Sequence, residues 1–532
     1  MIRPALAFLR ARWADIAFVV LSLAIVAWVA WDAFDYRLIT YSPGADYWEH
    51  TAVLRALLED PFHPEHPLIE TQASSPRFGP HFLLVALVGR AFGTDALGAM
   101  SIAAVLNAAL FVTGIYVFFR EYFRDPRAPL VGLVVMFGTW LDAPHFSNVY
   151  KLSIYFSVAG YPSSAALAVM LFALAALLRV LRSERERPAL WALVAFLGAY
   201  VYVTHPLTAM LAFTAAGLLV LTEPSIAGKR RLWGLGALAA GVLLASLWPY
   251  YPALGMVASG TADRVQKGLE TGVRGLHPFY EREKLFGILG FGLLAVPLFP
   301  YFVWKRRHLV VPLGALVMLA VFGASALLDV PLGHRFALLA VFFLQIGVVW
   351  LLLAALGSPR RAAGEPALRY GARLAGLAGA AGLLVTMAVM NVDDASERFA
   401  RRRGGNGESS TVIYARRVGE LAGPNAVVLA DPLASWSIPT FGPKIVTLHH
   451  GNPLTDGAER EAASRRFFGA KTPAAERRAI LERYHVTHVV TLPKTSPAAL
   501  RYLEANGQRH ALPLGRALFT LEHESKSRDA RR

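Results

Sequence analysis

The chain has 532 residues, of which 55% are hydrophobic and 17% charged, and its mean hydropathy is +0.43. Soluble domains run at about 45–50% apolar and about 25% charged, so a disordered chain, a fibrous one and most soluble enzymes are excluded. The net charge is +16 and there is no Cys, which removes a disulfide framework, a thiolate nucleophile and a Cys metal site; because Lys and Arg fall between apolar runs, the charge points to cytoplasmic membrane loops and not to nucleic acid.

A bilayer span takes roughly 20 mostly apolar residues. The run Ile16–Trp31 follows Arg3, Arg10 and Arg12 and leads into Asp32 and Tyr36 with no small-residue cleavage site, so it reads as a retained helix, 14–35. An outer loop, 37–97, comes next and opens on Ser42-Pro43-Gly44-Ala45-Asp46-Tyr47-Trp48-Glu49-His50. A helix starting near Asp46 places Asp46, Glu49 and His50 on one face. A carboxylate there suits general base work, with Tyr47 and Trp48 as sugar-stacking or interface residues; Asp46 and Glu49 fit a capping-box-like start equally well. Further on, His63, Glu65 and His66 are of the types that bind a metal, but two prolines within six residues deny them a regular helix that would fix ligand geometry, so they read as a polar loop. His81–Gly93, apolar but too short to cross, reads as a juxtamembrane or re-entrant helix.

Ten more spans follow: 98–119, 128–143, 161–180, 190–204, 206–222, 232–252, 285–304, 308–328, 335–357 and 373–391. Basic clusters separate them at Arg120/Arg124/Arg127, Arg182/Arg185/Arg187, Lys229/Arg230/Arg231, Lys305/Arg306/Arg307 and Arg360/Arg361/Arg369. The positive-inside rule puts each in the cytoplasm, and eleven crossings then leave the N-terminus inside and the tail outside. Three polar groups fall on the outer face: Asp142 through Lys151, with His145 and Asn148; the loop 253–284, with Arg264, Lys267 and Arg274; and Arg335 at a span's outer start, with His205 in another outer turn. Asp142–Lys151 suits sugar hydroxyls, a metal or a phosphate, and equally an interfacial helix with a snorkelling Lys151. Outer-loop cations run against the usual bias, and an anionic ligand such as a lipid phosphate accounts for them, as does ordinary headgroup contact.

After Asn391 the chain changes character. A glycine-rich link at 404–407 precedes short strands at 426–430, 445–448 and 488–492 and helices at 459–468 and 474–484, which predict a small α/β domain with a partly parallel sheet. No Walker loop, no Rossmann fingerprint and no Gly-x-Ser-x-Gly elbow occurs, so ATP-driven transport and serine-hydrolase chemistry lose support.

Taken together, these motifs resemble the GT-C glycosyltransferases, in the bacterial branch similar to dolichyl-phosphate-mannose-type and aminoarabinose transferases. Asp46 stands where that family carries an acidic residue soon after the first span, Pro80-His81-Phe82-Leu83 resembles its juxtamembrane helix, and 253–284 falls where it has a basic outer loop. The resemblance implies an α-helical polytopic membrane domain over 1–391 and an extracytoplasmic α/β domain over 392–532. It implies transfer of a sugar, with inversion, from a polyprenyl-phosphate donor to a glycan, lipid or protein hydroxyl. Asp46 would be the general base, with Glu49 and His50 orienting; Arg264, Lys267, Arg274 and Arg335 would hold the donor phosphate. Tyr47, Trp48, Asp142, His145, Asn148 and His205 would line the sugar or acceptor site. The family's second acidic motif is matched only by Asp142 followed by His145 and Asn148. A divalent cation (Mg or Mn) on Asp46, Glu49, His50 and His145 therefore stands beside simple hydrogen bonding. A non-enzymatic carrier or flippase of lipid-linked sugars, and a polysaccharide ligase or polymerase, are the rival readings.

Overall fold

A computed structural model describes residues 2–35, 46–224, 226–255, 282–328, 333–356, 367–403, 409–448 and 455–521. The chain is a multi-pass helical membrane protein with a small C-terminal sheet. Seven helices among the described residues are long and apolar enough to cross a bilayer: Arg12–Phe34, Ala96–Phe123, Pro162–Leu181, Lys284–Lys305, Val310–Leu327, Arg335–Ala355 and Gly376–Glu397. The shorter predicted spans are helical too, as Ala128–Gly138, Pro188–Thr204, Pro206–Thr222 and Gly228–Ala245. Pro at the first helical turn opens several of them, where its missing N–H costs nothing.

The described chain forms two compact units. One comprises Met1–Asp32, Ala104–Trp248 and Thr261–Gly404; the other comprises Ala33–Ala103, Pro249–Gly260 and Gly405–Arg532. The sequence reading put a boundary at 391; by packing, the first outer loop groups with the tail.

In the first unit the basic loops meet at one end of the helices. Arg182 Nε donates to Glu223 at 2.6 Å and its Nη1 to the Glu121 carbonyl at 2.6 Å. Arg230 donates to the Glu184 carbonyl at 2.8 Å, and His308 Nδ1 lies 3.1 Å from the Tyr122 hydroxyl. Arg127 donates to the Leu356 carbonyl at 2.6 Å, just before Arg360 and Arg361, which lie outside the described residues. Loops bearing four of the five predicted clusters therefore share one end, as the topology required. Inside the bundle Gln345, fully buried, accepts from the Tyr150 hydroxyl at 2.7 Å and donates to Thr139 at 2.5 Å and to the Met136 carbonyl at 3.1 Å, as a buried amide must. The span predicted at 285–304 is a broken helix: Arg282–Leu289, a 3-10 stretch Gly290–Leu298 and Phe299–Lys305. Gly290 has φ +50°, and a Cβ there would run into the Thr139 carbonyl; only glycine lets the two backbones approach so closely.

The second unit holds a five-stranded sheet of β1 Val427–Leu429, β2 Lys444–Ile445, β3 His488–Thr491, β4 Gly507–Ala511 and β5 Ala517–Leu521, in the order β2-β1-β3-β5-β4. The first three pair in parallel; β3–β5 and β5–β4 are antiparallel. Side chains alternate between faces: Val428, Val490 and Leu518 join one core, and Leu429, Val489 and Phe519 the other. The first core also takes in Ala52, Leu68 and Ile69 from the first outer loop, and the Ile445 N–H donates to the Leu68 carbonyl at 2.7 Å. The loop thus covers the β2 edge, which would otherwise present unpaired backbone groups.

Candidate active site

The predicted helix after Asp46 is present as Tyr47–Glu59, with Asp46 at its N-cap. Ten of its thirteen residues are buried, including Glu49, His50 and the aromatic pair Tyr47 and Trp48. A carboxylate so enclosed needs a cation, and Arg77 supplies it: its Nη2 pairs with Glu49 and lies 3.9 Å from Asp46. The two carboxylates differ in access, since the Glu49 side chain is 4% exposed and that of Asp46 33%. Asp46 makes no side-chain capping bond and has helical φ and ψ (−52°, −10°), so the capping-box alternative is not realised. His50 packs its ring 5.1 Å from that of Phe82, on the helix Pro80–Ala91. Tyr47 and Trp48 meet edge to face at 5.5 Å and are enclosed.

The same loop has a second polar knot. His66 Nδ1 accepts the N–H groups of Leu68 at 3.3 Å and Ile69 at 3.2 Å, and Lys444 donates to the His66 carbonyl at 2.7 Å. Burial, reinforced by Lys444 and Arg460, pushes His66 down to about 3. Burial also lowers Lys444, against the opposing pull of Glu65. This histidine fixes a turn.

The first unit holds the other candidates. Asp142 pairs with Lys284 at 3.0 Å, and its N–H donates to the Gly287 carbonyl at 3.0 Å. The Arg335 guanidinium lies 4.6 Å over the Phe146 ring, next to His334, whose ring is 5.3 Å from Phe146. His145 is exposed. The Asn148 side-chain N and O are both buried, with no hydrogen-bond partner among the described residues. Lys151 pairs with Asp394 at 2.8 Å, and Ser153 donates to the same carboxylate at 2.6 Å. His205 stands elsewhere, as the N-cap of Pro206–Thr222: its Nδ1 accepts the Thr208 N–H at 3.2 Å. Arg264, Lys267 and Arg274 lie outside the described residues.

A divalent ion on Asp46 and Glu49 does not fit these residues, because Arg77 occupies the cation's place between them. Among the described residues no three His, Asp or Glu side chains come together to hold a metal. Sequence reasoning missed Arg77 and Asp394. A trace of Arg77 was available, because an outer-loop arginine close to a membrane helix runs against the positive-inside bias; Asp394 carried no such mark.

No family model matches the chain, and no curated protein does. Solved structures do. The aminoarabinose transferase ArnT from Cupriavidus metallidurans, bound to undecaprenyl phosphate, aligns with a TM-score of 0.56 at 15% identity over 94% of this chain and 97% of its own. The arabinofuranosyltransferase AftD from Mycobacteria gives 0.54 at 13% identity, covering 96% of this chain and 40% of that one. The oligosaccharyltransferase of Archaeoglobus fulgidus gives 0.51 at 13% identity over 92% and 73%. From the first helix to the terminal sheet, the chain has the fold of the GT-C superfamily of membrane glycosyltransferases.

Proposed function

We propose that the protein transfers a sugar from a polyprenyl-phosphate carrier to a hydroxyl acceptor on the extracytoplasmic side of the membrane, with inversion and with Asp46 as general base. The observation that carries the reading is the near full-length match to a transferase bound to undecaprenyl phosphate, joined to a carboxylate one-third exposed at the start of the first-loop helix. In this reading the acceptor oxygen attacks the anomeric carbon and Asp46 takes its proton. The bond from that carbon to the phosphate oxygen breaks, and polyprenyl phosphate leaves. Glu49, enclosed and paired with Arg77, anchors the arginine and does not meet substrate. Arg335, with Arg264, Lys267 and Arg274, balances the charge on the departing phosphate. The basic end of the helical unit is cytoplasmic, and the tail is extracytoplasmic.

The test is release of polyprenyl phosphate by purified protein given undecaprenyl-phosphate monosaccharides and a cell-envelope acceptor fraction. Asp46→Asn keeps size and removes the base; the expected outcome is a loss of about 10²–10⁴ in turnover with binding of undecaprenyl phosphate retained. Undiminished release in the variant would move the base elsewhere. Movement of the same lipids across a bilayer without release would favour a carrier.

A further inference from the structure

Helix Tyr47–Glu59 is gripped by a short piece of the tail, the 3-10 turn Ile438–Phe441. Thr51 Oγ1 lies 2.7 Å from Thr440 Oγ1. Both hydroxyls are buried, and both reach the Trp48 carbonyl, at 3.1 Å from Thr51 and 3.5 Å from Thr440. Four residues on, Arg55 Nε donates to the Pro439 carbonyl at 2.7 Å. The Trp48 carbonyl belongs to the peptide group leading into Glu49, and the His50 N–H closes the first turn on the Asp46 carbonyl at 2.9 Å.

The position of this first turn needs an explanation. Its N-cap makes no side-chain capping bond, so the usual device that fixes a helix start is missing. The carboxylates are held on one side by Arg77, a flexible side chain 31% exposed. The helix that carries them is held by Thr440 through its bond to Thr51, and the turn of Thr440 is itself locked: Ile438 is fully buried and Thr440 is 5% exposed. A hydroxyl pair at 2.7 Å does not survive a slide of the helix by an ångström, and a displacement of that size at a reacting group costs about 10²-fold in rate.

We infer that Thr440, in the C-terminal domain, is a positioning residue for the reaction, setting the register of the helix that presents Asp46. The inference rests on the transferase reading above. It gives the tail a mechanical task in catalysis that needs no ligand of its own.

The experiment compares Thr440→Val, which removes the hydroxyl at constant shape, and Thr440→Ser, which keeps it. Turnover of undecaprenyl-phosphate monosaccharides and amide hydrogen exchange across 47–59 are both measured. In T440V, kcat should fall about 10–100-fold with the donor KM within about twofold, and amides at 50–54 should exchange about tenfold faster, the worth of one buried hydrogen bond. T440S should recover kcat to within about threefold, because the same bond is restored. Wild-type kcat in T440V, or T440S as slow as T440V, would overturn the inference; the second result would assign the effect to packing. Should T440V not fold, Thr51→Val removes the same bond from the helix side and must show the same fall in kcat. If the wild-type protein turns over no lipid-linked sugar, it is the transferase reading that fails. Faster exchange in T440V then still upholds the clamp, and unchanged exchange removes it.

Discussion

Arg77→Met tests the charge arrangement around the candidate base most directly. The substitution keeps much of the side-chain bulk and removes the guanidinium, taking from Glu49 a partner in a site where that carboxylate is 4% exposed. Removing one partner of a buried pair costs about 3–5 kcal/mol, and an exposed pair is worth about 0–1 kcal/mol. Glu49 is enclosed while Arg77 is 31% exposed, so about 2–3 kcal/mol is expected, between those limits. For a unit of this size each kcal/mol moves the melting midpoint by about 2–4 °C, which gives a drop of roughly 5–10 °C. The assay is thermal unfolding in detergent followed by tryptophan fluorescence, with Trp48 buried beside Glu49 as one reporter. Glu49→Gln in the Arg77→Met background removes the stranded charge and should regain most of the loss, because a neutral amide is far cheaper to bury. A midpoint for R77M within a degree of wild type, or a double variant as unstable as R77M, would refute the assignment of Arg77 as the counter-charge of Glu49.

His66 gives a pH dependence with a defined sign. Its imidazole is neutral when folded and charges more readily when unfolded, so the unfolded chain binds the extra proton and stability falls as pH drops from about 6.5 toward about 3. Melting of the first loop and tail should shift downward between pH 7.5 and 5, and His66→Asn, which still accepts backbone N–H groups but does not titrate, should flatten that slope. Gln345→Leu strands the Tyr150 hydroxyl inside the helical unit and should cost about 1–3 kcal/mol, read as a lower melting midpoint. His205→Leu removes a helix cap and should cost about 1 kcal/mol, with His205→Asn restoring it; equal stability of the two would argue against the capping role.

The helices were legible because their signal is local. Apolar runs of span length and the basic residues between them are read without knowing what touches what, and every predicted span has a helix in it. Boundaries slipped where the signal changes kind. The last long helix runs through to Arg403, past the predicted stop at 391, because charged residues end a membrane run without ending a helix. In the tail the parallel strands were visible as apolar bursts. The hairpin β4–β5 was not: β4 reads Gly507-Gln508-Arg509-His510-Ala511, mostly exposed and polar, an edge strand held by backbone pairing. At the candidate site, the spacing of Asp46, Glu49 and His50 announced the one helix that carries them. Arg77 was not, because its pairing depends on how the loop doubles back. Thr440 lies 389 residues from Thr51, and no pattern within either segment announces the other.

That separation has a consequence for how the protein is made. At about 5–20 residues per second, the first loop emerges roughly 20–80 s before the turn that grips it. Throughout that interval Ala52, Leu68 and Ile69 lack the rest of the core they join, and the partner edge that Leu68 covers has not been synthesised. The helix Tyr47–Glu59 therefore gains its contact with Thr440 only when the last quarter of the chain arrives. A chain cut short before the tail would leave Ala52, Leu68 and Ile69 without the rest of that core, and apolar surface exposed in this way is prone to aggregate.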